Sequence, residues 1–198
     1  MDGARSTEPH VVLIGYRGSG KTVVGRLLAG ELRRPHVDTD LLIEDREGRS
    51  IAAIFEQDGE PHFRRIESEV IDGLAPDTPA VISIGGGAVA SEHNRKRLKR
   101  LGAVVWLQAA PEELHRRIAA DRKSAASRPP LSKTDALTEV RMLLAQRSGS
   151  YEELADVEID TTGKSPVEVT QMILRQLESR VRRDGPQPAG DETEQENN

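Results

Sequence analysis

No cysteine occurs in the 198-residue chain. Neither a disulfide nor a thiolate-bound metal is therefore available to it, which suits a reducing cytoplasm. Aromatic residues make up only 3%, too few for a base-stacking platform that holds single-stranded nucleic acid. Basic residues are not in excess either. Lys and Arg number 28 against 33 Asp and Glu, a formal charge of −5, so no global field draws the chain towards a polyanion. No apolar run approaches the ~18 residues needed to cross a bilayer, and residues 1–9 lack the apolar stretch of a secretory leader. The expectation is a cytoplasmic monomer with no nucleic-acid or membrane partner. Basic residues do cluster locally. Arg95-Lys96-Arg97 with Lys99-Arg100 reads as a solvated helix face, and Arg116-Arg117 with Arg122-Lys123 forms a second group.

What is present begins with Gly15-Tyr16-Arg17-Gly18-Ser19-Gly20-Lys21-Thr22, directly after the apolar run His10-Val11-Val12-Leu13-Ile14. A strand, then G-x-x-x-x-G-K-[ST], then a helix is the arrangement that wraps phosphate. Glycines let backbone N–H groups converge on the oxyanions, and the helix N-terminus adds a favourable dipole. Gly18, Ser19, Gly20, Lys21, Thr22 and Val23 are the candidate nucleotide cradle. Lys21 would reach the β- and γ-phosphates, and the Thr22 hydroxyl would ligate Mg²⁺. The helix after the loop places Val24, Leu27, Leu28 and Leu32 on one face.

Short, mostly apolar and β-branched segments at 10–14, 80–84, 103–107 and 156–160 read as buried strands, with a weaker one at 35–39. Helical patterns separate them. Pro61 opens one helix with Phe63, Ile66, Val70, Ile71 and Leu74 on a face. Ser91 caps the next, and Pro111-Glu112-Glu113 starts another. Residues 135–147 and 166–181 supply two more. Strand–helix alternation predicts a three-layer α/β domain over residues 10–182, with a central five-stranded parallel sheet flanked by helices. Ligands then sit at the carboxyl ends of the strands. Residues 1–9 are expected to be a flexible N-terminus and 183–198 a disordered acidic tail.

Further residues extend the phosphate loop's chemistry. At the end of the second strand stands Asp38-Thr39-Asp40, two carboxylates that strand geometry would point the same way. Near a triphosphate they would hold water around Mg²⁺ and accept a proton from an attacking hydroxyl. Asp40 also reads as a helix N-cap, and the two roles are compatible. Gly85-Gly86-Gly87 after the third strand would let backbone N–H groups approach a ligand, or would simply make a tight turn. Phe63-Arg64-Arg65 and, later, Arg147 with Tyr151 bring guanidinium groups suited to a carboxylate. Arg128-Pro129-Pro130-Leu131 lies in a polar stretch of small residues, about 121–135, that reads as a mobile lid.

Taken in order, the phosphate loop with Val24-Gly25-Arg26-Leu27-Leu28-Ala29, Asp38-Thr39-Asp40, Gly48-Arg49-Ser50-Ile51, Phe55 to Phe63-Arg64, Gly85-Gly86-Gly87, Arg128-Pro129, Arg147 and Tyr151 make the chain resemble the shikimate kinase family over roughly residues 10–178. The resemblance implies a P-loop kinase fold and Mg²⁺-dependent transfer of phosphate from ATP to the 3-hydroxyl of shikimate, in aromatic amino-acid biosynthesis. It further implies that Arg64, Arg147 and a backbone N–H of Gly86 or Gly87 hold the shikimate carboxylate, while Asp40 binds the ring hydroxyls. Thr22 would ligate the metal directly and Asp38 through water. Lys21, Asp40 and Arg128 would be catalytic, and Arg117 and Lys164 would lie at the adenine. Ser83 would support the metal or be a plain strand serine, and Phe55 and Phe63 would line the ring or be core. The flap reads Arg128-Pro129-Pro130-Leu131 where the family usually has Arg-Pro-Leu-Leu. Two alternatives stand beside this reading. One is another small-molecule kinase of the same branch, such as gluconate kinase. The other is a non-catalytic nucleotide switch, against which the chain has no Asn-Lys-x-Asp guanine motif.

Overall fold

Alternation of side chains along the strands builds the two faces of one sheet. In β1 (His10–Ile14), Val12 and Ile14 join one core while Val11 and Leu13 join the other. β4 (Gly102–Gln108) repeats the pattern, with Val104 and Trp106 on the first side and Val105 and Leu107 on the second. With β2 (His36–Asp38), β3 (Val81–Ser83) and β5 (Val157–Asp160) they form a sheet of order β2-β3-β1-β4-β5, parallel throughout. Val12 lies opposite Ile82 on one side and Val104 on the other. Burial of both faces explains why the central strands are nearly continuous apolar runs. The computed structural model describes residues 10–74, 79–121 and 135–184, with side chains described as far as residue 180.

One face is covered by α1 (Lys21–Leu32) and α7 (Pro166–Asp184), which contribute Val24, Leu28, Val169 and Ile173. The other is covered by α3 (Ile51–Asp72), α4 (Glu92–Lys99) and α6 (Ala136–Leu154) through Ile71, Leu98, Tyr151 and Leu154. This is the three-layer α/β architecture expected from strand–helix alternation. Two satellite cores flank it. Ile43, Ile54, Phe63 and Ile66 join α2 (Thr39–Glu47) to α3, and Leu114 and Val140 join α5 (Pro111–Ala120) to α6 beneath Tyr16.

Each expected strand is present within two residues of its reading. Ser91 Oγ accepts from the Asn94 N–H at 3.3 Å, and Pro111 occupies the first turn of α5, both as expected. Four features differ. Leu27 is exposed, whereas α1 buries Val24, Gly25, Leu28 and Ala29 and packs Leu32 against the same core. α6 does not stop at 147; it runs through Gly149, beside which a Cβ would meet nothing within 4 Å, and reaches Leu154. The basic residues of α4 are more than a solvated face. Arg95 donates to the Val89 carbonyl at 2.9 Å, Arg97 to those of Asp72 and Leu74, and Lys99 to that of Glu153 at 3.3 Å, so α4 is stapled to its neighbours. α7 continues to Asp184, past the expected boundary of the tail. Residues 1–9, 185–198 and nearly all of the expected lid lie outside the described residues.

α3 contains the one break in helical geometry that bears on the site. Gly59 has φ 79 and ψ 172, a region that essentially only glycine occupies. The break lets Pro61 sit in the first turn of a fresh helical segment, where its missing N–H costs nothing, and that segment carries Phe63 and Arg64. The expected opening of a helix by Pro61 is thus realised inside a longer element. Nothing closer than Pro61 Cδ at 3.7 Å would touch a Cβ at Gly59, so substitution there acts through the backbone. Gly59→Ala is expected to destabilise the chain by about 1–3 kcal/mol, read by urea denaturation, with no steric contribution.

Candidate active site

The phosphate loop leaves β1 and enters α1 through Gly20, which adopts φ 97 at the helix N-cap, a left-handed conformation glycine takes without a Cβ penalty. Ser19 N donates to the Tyr16 carbonyl at 3.1 Å and closes the loop. Lys21 Nζ donates to the carbonyls of Gly15 at 2.8 Å and Tyr16 at 3.1 Å, which holds the ammonium against the loop. The Ser19 hydroxyl is buried and has no hydrogen-bond partner among the described residues. Gly18 to Val23 line one side of a cleft of about 660 Å³, and Asp38, Asp40, Ser83, Gly86, Arg117 and Lys164 line the rest.

Thr22 Oγ1 donates to Asp38 Oδ2 at 2.8 Å, and Asp38 Oδ1 accepts from the Asp40 N–H at 3.1 Å. Asp38, not Asp40, is therefore the N-cap of α2. The two carboxylates do not share a strand face as expected, because β2 ends at Asp38 and Asp40 is already helical. Both still face the cleft, since the end of β2 and the first turn of α2 border it together. A hydroxyl and a carboxylate oxygen side by side form a hard donor pair. It suits Mg²⁺, which takes one or two protein oxygens and completes its shell with water and phosphate. Among the described residues no group of three or more His, Cys, Asp or Glu is placed to cage a metal.

Thr39, which the sequence reading passed over, ties this corner together. It is fully buried, its hydroxyl donates to the Ser83 carbonyl at 3.3 Å, and it accepts from the Gly85 N–H at 3.0 Å. Its place between two acids in a strand-to-helix turn was the only available signal. Ser83 is likewise more than a plain strand serine, since its hydroxyl donates to the Lys21 carbonyl at 3.2 Å and lies 2.9 Å from His36 Nε2. Burial lowers the His36 pKa; Asp38 opposes that shift and Arg26 reinforces it.

The Gly85–Gly87 segment is gripped from two sides. Tyr151, buried in α6, donates its hydroxyl to the Gly86 carbonyl at 2.6 Å, and Arg147 one turn earlier donates to the same oxygen at 3.3 Å. Arg147 also lies over the Tyr16 ring, 5.8 Å from its centroid. On the other side the Arg64 guanidinium occupies the space a Cβ at Gly87 would need, with Nη1 2.5 Å from that position. Arg64 is held by Glu67 at 2.8 Å and Glu60 at 2.9 Å. Burial opposes its charge, but the ion pairs with Glu67 and then Glu60 prevail and raise its pKa. Arg64 and Arg147 border the glycine segment; neither they nor Gly87 are among the residues that line the large cleft. Phe63 is core: it is fully buried beside Phe55, with ring centroids 4.6 Å apart.

Arg117 bridges three elements. It donates to Glu113 at 2.7 Å, to the Gly18 carbonyl at 3.4 Å, and to the Thr161 hydroxyl and carbonyl at 3.0 and 2.8 Å. The turn that holds Lys164 begins there, with the Lys164 N–H on the Thr161 carbonyl at 3.1 Å. Arg128 lies outside the described residues.

A parallel three-layer sheet with a glycine-rich loop between β1 and α1, a Lys-Thr pair and a carboxylate opposite defines a P-loop phosphotransferase. The shikimate kinase family model matches residues 17–178. Shikimate kinase of Symbiobacterium thermophilum is 45% identical over 88% of this chain and 99% of its own, and that of Corynebacterium diphtheriae 44% over 86% and 95%. Among solved structures, the shikimate kinase of Acinetobacter baumannii in complex with shikimate superposes with a TM-score of 0.82 at 36% identity, covering 89% of this chain and 97% of that one. The chain belongs to the shikimate kinase family. A gluconokinase from Sinorhizobium meliloti, at a TM-score of 0.55 and 18% identity, shares the fold alone.

The Glu113 carboxyl lies at about 2, well under its ordinary 4.5, chiefly through the hydrogen bond from Arg116; partial desolvation opposes this and Arg117 adds to it. A carboxyl depressed in the folded state contributes stability that is complete above the unfolded value and fades as pH falls from there towards the folded one. The wild-type chain is expected to melt above Glu113→Gln at about pH 6, by a margin that shrinks steadily below about pH 4.5. Thermal melts across that range check it.

Proposed function

We propose that the chain transfers the γ-phosphoryl group of ATP to the 3-hydroxyl of shikimate, giving shikimate 3-phosphate and ADP, as a step in aromatic amino-acid biosynthesis. The observation that carries the reading is that a phosphate loop, Asp38 and Asp40 share one cleft with Gly86, while Arg64 and Arg147 reach the same glycine segment from either side. Family membership supports it independently.

In this reading the backbone N–H groups of Gly18, Ser19, Gly20, Lys21, Thr22 and Val23 hold the phosphates. The buried Ser19 hydroxyl supplies a further donor. Lys21 exchanges its two loop carbonyls for phosphate oxygens and neutralises charge that spreads over the γ-phosphoryl group. Thr22, and Asp38 through water, would hold Mg²⁺, which would supply positive charge against the phosphates. Asp40 accepts the hydrogen bond of the attacking hydroxyl and orients it; the loose transition state requires little prior deprotonation. Arg64, Arg147 and the N–H of Gly86 or Gly87 take the carboxylate. Glu60 and Glu67 already fix the Arg64 guanidinium, so little side-chain entropy is lost when it binds. Arg117 and Lys164 border the adenine. By the family resemblance Arg128 would add a cation for the phosphates; it lies outside the described residues. The same reading places the enzyme as a monomer in the cytoplasm, to which the lack of cysteine is suited.

The deciding experiment is ADP release with magnesium and ATP in the presence of shikimate, of gluconate and of no acceptor. Stimulation by shikimate alone is expected; equal or greater stimulation by gluconate overturns the substrate assignment. Arg64→Ala is expected to raise the shikimate KM by about 10- to 100-fold, the loss of a charged hydrogen bond, and to leave the ATP KM within about twofold. An equal rise in both removes Arg64 from the carboxylate.

A further inference from the structure

His36 stands two residues before Asp38 on β2, so the two side chains leave the strand on the same side and both meet α1. His36 Nε2 is 2.9 Å from Ser83 Oγ, which is 3.2 Å from the carbonyl of Lys21, the first residue of α1. A carbonyl only accepts; with the single hydroxyl hydrogen directed to it, the tautomer that satisfies all three groups is the one in which His36 supplies Nε2–H to the serine. Gly25, one turn into α1, makes room for this contact. A Cβ there would stand 2.5 Å from His36 Nε2 and 2.8 Å from Ser83 Oγ. At the next position along the same strand face, Asp38 receives Thr22 Oγ1 at 2.8 Å. β2 is an edge strand paired only with β3. Its distance from α1 is thus set by two rungs, His36–Ser83–Lys21 below and Asp38–Thr22 above.

We propose that His36 is a positioning residue for the phosphate and metal end of the site: it locks the Ser83 hydroxyl onto the Lys21 carbonyl and so fixes the spacing at which Asp38 meets Thr22. It touches no substrate and acts through Ser83. The proposal rests on the kinase reading for its consequence in turnover, and on geometry alone for its consequence in nucleotide binding.

The test is calorimetric titration of the full chain with Mg·ATP in the absence of shikimate, alongside steady-state kinetics. His36→Leu removes the donor. It is expected to weaken Mg·ATP binding, and to raise the magnesium needed for half-maximal rate, by about threefold to tenfold, the loss of one ordered hydrogen bond. The shikimate KM stays at its wild-type value. His36→Gln carries an N–H that reaches the same oxygen and recovers most of the loss, which a role in packing alone would not produce. Ser83→Ala reproduces the His36→Leu shift, and the double variant is no worse than either single one, because both cut one chain of bonds. Wild-type affinity in folded His36→Leu overturns the proposal, as does additivity of the two substitutions or equal damage from His36→Gln. Should His36→Leu fail to fold, Ser83→Ala with and without His36→Gln decides in the same way. The titration needs no acceptor, so failure of this proposal appears there, whereas failure of the kinase reading appears in the acceptor assay.

Discussion

Asp38 takes a hydrogen bond on each carboxylate oxygen, one from the Thr22 hydroxyl and one from the Asp40 N–H. That pair of bonds joins the donor half of the site to the acceptor half. On one side lies the helix that follows the phosphate loop; on the other, the helix whose first turn presents Asp40. A carboxylate at a helix N-cap also lies at the positive end of the helix dipole, a place that suits its negative charge.

The glycine segment after β3 depends on the same corner. The Gly85 N–H is held by Thr39, whose hydroxyl also reaches back to the Ser83 carbonyl. From there the chain passes between Arg64 on one side and Arg147 with Tyr151 on the other. A side chain at Gly87 would collide with the guanidinium, so the lack of one is what brings Arg64 up to the backbone. Glu67, buried next to it, makes the arrangement stiff as well as close. A wall carrying two guanidinium groups is thereby assembled from a strand end, the second half of a kinked helix and a distant helix, none of them neighbours in sequence.

Most of the fold was legible because parallel strands buried on both faces announce themselves as short β-branched runs, and the phosphate loop because its glycines and Lys-Thr pair lie contiguous. The boundaries were less so. The Ser148-Gly149-Ser150 stretch reads as a helix end, yet tertiary packing of Tyr151 and Leu154 carries α6 through it. That matters for the site, because continuity puts Arg147 and Tyr151 one turn apart on a common carbonyl. The exchange of cap roles between Asp38 and Asp40 was hidden for a related reason: a carboxylate followed by apolar residues marks a helix start only to within a turn. His36 was illegible in principle, and Thr39 but for its place between two acids, since their partners are Ser83, Gly85 and Lys21, brought close only when the sheet forms.

The reach of Arg117 has a mechanical consequence. One guanidinium grips the phosphate loop at Gly18, its own helix at Glu113 and the end of β5 at Thr161. The loop, α5 and the β5–α7 turn are thereby tied to one another through a single side chain, so its loss would loosen all three at once.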